Sequence, residues 1–249
     1  MHDPGEEALT GGNASQAVIR VGETVRKPWL ATTEHVVSYM RALRAKGIDV
    51  PRHLGRDEQG RQVLEYVPGS LAMSNDPLDE STVAAIGRLV RSIHDASADL
   101  PVPEEWPVLL PAAEPDLVCH NDLASWNLII DEDRLVFIDW DGAGPSTRKW
   151  DLAYAAISFG HLFPGSPVGE CVARLRAFLE GYDADRPLRQ ALPATLTRRS
   201  RAMHELLLQA HQAGEQPWAT MYAEGHGEHW LATTQFIKAN QRQWEVGCS

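Results

Sequence analysis

Four polar residues in one short stretch have the types and the spacing that phosphoryl transfer requires. The stretch reads V-C-H-N-D-L-A-S-W-N-L-I-I and continues, after an acidic turn, as L-V-F-I-D-W-D-G-A-G, so it contains His120, Asp122, Asn127 and Asp139. In this chemistry one aspartate accepts the proton of an attacking hydroxyl, an asparagine later in the same loop binds Mg²⁺, and an aspartate after the next strand bridges the metal to nucleotide phosphates. We therefore interpret Asp122 as the catalytic base and Asn127 and Asp139 as metal ligands.

The apolar runs beside these residues predict how the metal ligands meet. Residues 128–130 and 135–138 are two β-prone runs around an acidic turn at residues 131–133. A hairpin of these runs places Asn127 just before one strand and Asp139 just after the other, at the same end of the pair. One asparagine and one aspartate are enough for Mg²⁺, which binds few protein oxygens together with substrate phosphates.

The motif H-x-D-x-x-x-x-N, followed by I-D after the next strand, resembles the aminoglycoside phosphotransferase and choline kinase group. These are small-molecule kinases with a protein-kinase-like fold. A later D-L-A, which begins at Asp151, is similar to the structural aspartate of that group, so the resemblance spans Cys119 to Ala153. The loop reads H-N-D where protein kinases have H-R-D, and the missing arginine argues against control by activation-loop phosphorylation.

The resemblance implies an α+β, bilobal protein-kinase-like fold with a small β-rich N-terminal lobe and a mainly helical C-terminal lobe. We set the boundary at a break in periodicity, which assigns residues 1–69 to nucleotide binding and residues 70–249 to catalysis and acceptor binding. Helical spacing over residues 32–45 predicts the helix packed behind the small sheet. Further candidate helices are Val168 to Tyr182, Leu188 to Ala213, and Pro217 to Trp244 with a break near Gly225 to Gly227.

A Gly-rich turn near the N-terminus corresponds, by the resemblance, to the loop that covers the nucleotide. Gly11 and Gly12 let the backbone approach phosphates closely, and amides near Ser15 could donate to them. A Gly-Gly turn is also a common hairpin connection, so this signal is weak without the downstream motif.

The hinge between the lobes is expected at L-E-Y-V-P-G, where the resemblance places it. The backbone of Glu65, Tyr66 and Val67 would hydrogen-bond the edge of the purine. That role needs exposed amides more than it needs particular side chains.

A kinase of this type also needs a cation on its third strand to hold the α- and β-phosphates. Arg26 and Lys27 compete for this role, and only one can point into the cleft because neighbouring strand residues face opposite ways. The hydrophobic-basic step V-R favours Arg26, whereas a register shift of one residue favours Lys27. Glu34 could pair with this cation, although an acidic residue in a first helical turn is also what the helix dipole prefers.

Other polar residues near the motif have structural interpretations. His120 is expected to hydrogen-bond the backbone that shapes the loop, and Asp151 to cap the following helix or to brace the loop through backbone amides. His94 fits a core or cap hydrogen bond, and Cys119 a small buried hydrophobe. Asp141 could touch a second metal, but a solvated turn carboxylate is the commoner alternative.

The C-terminal helices cover the acceptor cleft in the family that the chain resembles. An aminated acceptor could bind to carboxylates and aromatic faces there, or the same residues could be exposed helix charges beside core aromatics. These residues are Glu205, Glu215, Glu224 and Glu228, with Trp218, Tyr222 and Trp230. The H-G-E-H of residues 226–229 lacks the H-E-x-x-H spacing, so we do not interpret it as a metal site.

Composition limits the class of protein. With 43% hydrophobic and 23% charged residues, the chain is typical of soluble globular proteins, and we expect it in the cytoplasm. A net charge of −11 disfavours nucleic acid and anionic lipid and weakly favours cationic or neutral partners, although acidic surfaces often serve only solubility. Its 3 cysteines form no C-x-x-C pair, so neither a disulfide framework nor a zinc site is predicted.

The sequence thus favours an enzyme that uses ATP or GTP with Mg²⁺ to phosphorylate the hydroxyl of a small molecule, such as an aminoglycoside or another amino alcohol. A catalytically silent nucleotide-binding relative is one alternative. A metal-dependent phosphoesterase that uses His120, Asp122, Asp139 and Asp141 is a weaker one, because that class gathers more metal ligands. The acceptor, the choice of nucleotide and the oligomeric state stay open at this point.

Overall fold

A computed structural model describes residues 6–9, 18–132 and 134–249. Gly11, Gly12 and Ser15 lie outside the described residues, so the predicted phosphate-covering loop stays a prediction. The strands are β1 (Glu7–Ala8), β2 (Ile19–Val21), β3 (Thr24–Lys27), β4 (His53–Arg56), β5 (Gln62–Glu65), β6 (Ser70–Leu71), β7 (Leu117–Cys119), β8 (Leu128–Asp131), β9 (Arg134–Phe137) and β10 (Gly144–Ser146). The helices are α1 (Thr33–Ala45), α2 (Glu80–Ser97), α3 (Arg148–Phe159), α4 (Val168–Gly181), α5 (Arg186–Ala213), α6 (Trp218–Met221), α7 (Gly227–Ala239) and α8 (Gln241–Cys248).

The N-terminal part is an antiparallel sheet in the order β1-β2-β3-β5-β4. Gly22 has a φ of 58° in the tight turn between β2 and β3, a conformation that glycine adopts without strain. Helix α1 carries its buried residues on one face, including Val36, Met40 and Leu43. The helix predicted over residues 32–45 is therefore present.

The chain leaves this sheet through the segment 66–69. Gly69 has a φ of 127°, and a Cβ there would lie 2.6 Å from Ile129 Cγ2 and 2.7 Å from the Ile130 carbonyl oxygen. Only glycine fits such a close approach of two backbones. Directly afterwards β6 pairs with β8, so the chain joins the sheet of the catalytic hairpin one residue after the predicted lobe boundary.

The predicted hairpin is present as β8 and β9, which pair antiparallel with Leu128 opposite Phe137. A second antiparallel pair, β7 with β10, brings Cys119 opposite Gly144. The loop between β7 and β8 carries the candidate catalytic residues. Asp133 in the hairpin turn lies outside the described residues.

The C-terminal part consists mainly of helices. Observed α4 and α5 match two of the predicted helices to within two residues at each end. The third predicted helix is divided into α6, α7 and α8, and Gly225 has a non-helical φ of 104° in the wide turn that joins α6 to α7. The predicted break is therefore confirmed, and a further one separates α7 from α8. No helix of the part that the structure describes is long and apolar enough to cross a membrane.

Candidate active site

The loop after β7 is held by a buried histidine. His120 is 0% exposed; its Nδ1 accepts from the backbone amide of Asp122 at 3.3 Å and its Nε2 donates to the carbonyl of Ile138 at 3.1 Å. These two bonds define the neutral tautomer that carries its proton on Nε2. His120 thereby connects the start of the loop to the residue just before Asp139.

Asp122 is half-buried in this loop. Its Oδ2 accepts from Asn127 Nδ2 at 2.7 Å, and the hydroxyl of Tyr154 lies beside the same carboxylate. Burial raises the pKa of Asp122 above its ordinary value, and the negative charge of Asp139 adds to that increase. Asn127 and the Tyr154 hydroxyl act in the opposite direction, toward the charged form.

Asn127 uses its amide nitrogen within the protein, because Nδ2 also donates to the carbonyl oxygen of Asp122 at 3.0 Å. The side chain is buried, with 5% of its surface exposed. Its carbonyl oxygen Oδ1 is then the atom with the chemistry to bind a hard metal ion.

Asp139 follows β9 in a left-handed conformation, with a φ of 57° and a ψ of 62°. Its Oδ1 lies 2.5 Å from Nζ of Lys27, and Oδ2 of Asp141 lies 2.6 Å from the same atom. Gln62 also donates to Oδ1 of Asp141 at 3.4 Å. Two carboxylates from the C-terminal part therefore converge on one ammonium group from the N-terminal sheet.

Of the two candidate strand cations, Lys27 is the one that faces the carboxylates of Asp139 and Asp141, whereas the sequence preference was for Arg26. Lys27 is 4% exposed; burial alone would lower its pKa, but Asp139 and Asp141 outweigh burial and raise it. Arg26 points the other way, donates to the Thr24 hydroxyl at 2.6 Å and lies 3.5 Å from Asp57. The pairing register of β3 with β5 decides this orientation.

The kinase-like pair between Glu34 and the strand cation is not formed among the described residues. The ion pairs of Lys27 are those with Asp139 and Asp141, whereas Glu34 lines a shallow surface cavity beside Trp29 and His53. The helix-dipole interpretation of Glu34 is the one that the structure leaves in place.

The oxygen atoms of this site suit Mg²⁺. Carboxylate and amide oxygens are hard ligands, and Asp139, Asp141 and Asn127 supply both types. The ammonium group between the two carboxylates shows that a positive charge is stabilised at this position.

The hinge prediction is only partly compatible with the structure. The amide of Glu65 donates to the carbonyl of Arg52 at 2.8 Å, and the amide of Tyr66 donates to the carbonyl of Glu23 at 3.0 Å. Neither amide is therefore available to a purine, which narrows the predicted contact to Val67. The Val67 side chain packs with Ile129 and Val136 in a small apolar cluster between the sheets.

Asp151 braces the catalytic loop rather than capping a helix. It is fully buried; its Oδ1 accepts from the amide of Asn121 at 2.8 Å and its Oδ2 pairs with Nε2 of His94 at 3.0 Å. His94 in turn bonds the hydroxyl of Tyr182 through Nδ1 at 2.8 Å. Thr147 caps α3 instead, accepting from the amide of Trp150.

Two residues of the site were missed by the sequence interpretation. Tyr154 directly follows D-L-A, so its position beside the motif was the only available signal. Arg199 on α5 gave no signal, yet its guanidinium lies 4.2 Å from the centre of the Tyr154 ring and donates to the carbonyl of Asn121 at 3.1 Å. Burial lowers the pKa of Arg199.

The suggested acceptor residues of the C-terminal helices separate into two groups. Trp230 is buried and stacks on Tyr154, with ring centres 5.7 Å apart. Trp218 and Tyr222 are partly buried and pack against the core. The carboxylates of Glu205, Glu215, Glu224 and Glu228 belong to exposed residues.

In this fold a strand lysine lies opposite a loop that carries Asp122, Asn127 and Asp139, which is the arrangement that kinase-like phosphoryl transfer uses. Residues 100–188 match the model of the Phosphotransferase enzyme family. The trifolitoxin immunity protein of Rhizobium leguminosarum bv. trifolii is 29% identical over 231 residues, which cover 85% of this chain and 86% of that protein.

Solved structures share the fold over nearly the whole chain. A choline/ethanolamine kinase family protein from Mesorhizobium loti superposes with a TM-score of 0.66 at 18% identity, covering 97% of this chain and 92% of the other. The amicoumacin kinase hAmiN, in complex with AMP-PNP, Ca²⁺ and amicoumacin, superposes with a TM-score of 0.69 at 15% identity, covering 96% and 88%. The predicted bilobal protein-kinase-like fold and the resemblance to this group of small-molecule kinases are confirmed.

Proposed function

We propose that this protein transfers the γ-phosphoryl group of ATP or GTP to the hydroxyl of a small molecule, with Mg²⁺ as the cofactor. The convergence of Lys27, Asp139 and Asp141 beside Asp122 and Asn127 carries the proposal. A cation for the phosphates, oxygen ligands for the metal and a half-buried carboxylate for the hydroxyl thus lie together. These are the parts that phosphoryl transfer needs, because its catalysis consists mainly of positioning and charge stabilisation.

Each residue then has one role. Lys27 holds the α- and β-phosphates, and Asn127 and Asp139 bind the metal, with Asp141 as a further ligand. The bound Mg²⁺ would neutralise charge on the β- and γ-phosphates. Asp122 orients the acceptor hydroxyl and receives its proton as the new bond to phosphorus forms.

The apolar cluster of Val67, Ile129 and Val136 supports a purine site at the junction of the lobes. Of the amides of residues 65–67, those of Glu65 and Tyr66 already donate to backbone carbonyls. Among the described residues the Val67 amide therefore remains for a hydrogen bond with the base. One backbone amide and an apolar contact surface can bind adenine or guanine, so both ATP and GTP should be tested.

Two acceptor classes have support. The solved relatives include a choline/ethanolamine kinase family protein and an aminopropanol kinase, which favour an amino alcohol. The similarity to a trifolitoxin immunity protein and to an amicoumacin kinase favours an antibiotic or toxin instead. We propose the cytoplasm as the site of action, where nucleoside triphosphates and Mg²⁺ are both present.

The test is nucleotide consumption with a panel of amino alcohols, aminoglycosides and other antibiotics or toxins. Asp122→Asn is the matched variant, because it keeps the size of the side chain and removes the base. We expect turnover with one acceptor class in the wild type, loss of about 100-fold or more in the variant, and an unchanged nucleotide-induced rise in Tm.

Other results would identify the alternatives. Nucleotide binding without turnover on any acceptor would favour the silent relative. Hydrolysis of a phosphate ester without nucleotide would favour the phosphoesterase.

A further inference from the structure

The hydroxyl of Tyr154, in the second turn of α3, lies beside the carboxylate of Asp122 and favours its charged form. The residue is buried, with 3% of its surface exposed, and burial together with Asp122 raises the pKa of its hydroxyl well above the ordinary value. Tyr154 therefore remains a protonated donor. Asn127 donates to the same carboxylate at 2.7 Å.

The ring of Tyr154 is fixed by three elements of the C-terminal part. The guanidinium of Arg199 on α5 lies 4.2 Å from its centre. Trp230 on α7 stacks on it at an interplanar angle of 21°, and Trp126 from the catalytic loop meets it edge to face with ring centres 6.2 Å apart. Such contacts leave the hydroxyl little freedom to leave Asp122.

The guanidinium of Arg199 also lies 5.4 Å from the centre of the Trp150 ring. Arg199 is 3% exposed, its Nη2 donates to the carbonyl of Asn121, and its buried Nε and Nη1 have no hydrogen-bond partner. Unpaired buried donors reduce stability, and stacking on aromatic rings offsets that only in part. Because Nε and Nη1 are inaccessible, a ligand could not reach them without a rearrangement. Arg199 instead connects the ring of Tyr154 to the loop residue next to Asp122.

We propose that Tyr154 and Arg199 are positioning residues for the phosphoryl transfer. Arg199 fixes the Tyr154 ring and the carbonyl of Asn121, and the Tyr154 hydroxyl holds the Asp122 carboxylate in the orientation that meets the acceptor. In that step the acceptor oxygen bonds to the γ-phosphorus, the bond from this phosphorus to the β–γ bridging oxygen breaks, and Asp122 takes the hydroxyl proton. This inference rests on the proposed function.

The test is a double-mutant cycle of Tyr154→Phe with Asp122→Ala. In the wild-type background Tyr154→Phe should lower kcat about 10- to 100-fold, with the KM of nucleotide and acceptor changed less than about 3-fold. In the Asp122→Ala background it should cause no further loss, because the group on which it acts is gone. An equal loss in both backgrounds, or no loss in the first, would overturn the proposal.

Tyr39→Phe is the matched control. Tyr39 is also a buried tyrosine, but its hydroxyl bonds Ser97 and the carbonyl of Val118 rather than Asp122. Any effect of this variant on kcat should be the same in both backgrounds. Arg199→Lys keeps the charge and loses the planar stack, so it should lower kcat without adding to the effect of Tyr154→Phe.

The same cycle measured by Tm separates this inference from the proposed function. Tyr154→Phe should lower Tm in the wild type and lower it less in Asp122→Ala, whether or not an acceptor has been found. Equal Tm losses would reject the positioning pair by themselves. The wild type could show no turnover while Tyr154→Phe lowers Tm less in Asp122→Ala than in the wild type. That result would reject the kinase activity but support the interaction of Tyr154 with Asp122.

Discussion

At the scale of single residues, the site depends on which of two adjacent basic side chains enters the cleft. Lys27 has its ammonium within 2.6 Å of two carboxylates and is almost completely buried. Arg26 is held on the other face of the same strand by Thr24 and Asp57. Because the two residues are neighbours, they form a matched pair for substitution.

Lys27→Met should lower kcat/KM about 100-fold or more, the usual consequence of removing a fixed charge from developing phosphate charge. Arg26→Met should stay within a few-fold of the wild type, because its side chain does not face the phosphates. Steady-state kinetics with one acceptor would check both variants. Equal losses, or a larger loss for Arg26→Met, would show that Lys27 is not the phosphate cation.

At the scale of elements, close packing of α2 against α4 positions the catalytic loop. A Cβ on Gly181 would lie 2.0 Å from the carbonyl oxygen of Ala84, and a Cβ on Gly87 would lie 2.3 Å from that of Phe178. Helix α2 carries His94, which holds Asp151 and through it the loop amide of Asn121. The two glycines thus allow the approach on which this chain of hydrogen bonds depends.

Gly181→Ala should lower the free energy of unfolding by about 1–3 kcal/mol, because the added methyl meets backbone that cannot yield easily. Gly169→Ala in the same helix is the control, since a Cβ there has nothing within 4 Å. It should be neutral or slightly stabilising. Urea unfolding of both variants would measure the difference, and similar values would mean that the helices separate without cost.

At the scale of the whole molecule, Lys27 joins the N-terminal sheet to the two carboxylates of the C-terminal part. While the ammonium pairs with Asp139 and Asp141, Mg²⁺ has to compete with it for the same oxygens. A nucleotide changes this balance, because its phosphates offer the lysine other partners and bring further oxygens to the metal.

Mg²⁺ alone should therefore change Tm very little, whereas Mg²⁺ with nucleotide should raise it by about 5–10 °C at a concentration near 100 times Kd. The joint shift should exceed the sum of the separate ones. In Lys27→Met the two carboxylates lose their cation, so Mg²⁺ alone should now stabilise the protein. Additive shifts in the wild type, or an unresponsive Lys27→Met variant, would contradict this exchange of partners.

The sequence by itself determined the features that depend on local spacing. Asp122, Asn127 and Asp139 lie within 18 positions of one another around a short hairpin, so their convergence follows from strand pairing alone. Helical periodicity likewise located α1, α4 and α5, and glycine chemistry located the break at Gly225.

Only the tertiary structure decided the features that depend on register and on distant contacts. Lys27 meets Asp139 across 112 positions of the chain, and a shift of one residue in β3 would have presented Arg26 instead. Arg199 contacts Tyr154 and Asn121 only because α5 packs against α3, a contact with no periodic or local signal. The amides of Glu65 and Tyr66 are unavailable to a purine for the same reason. They donate to the carbonyls of Arg52 and Glu23, which are distant in sequence. Local spacing fixes which groups can act together, whereas packing between distant elements fixes which side chains reach them.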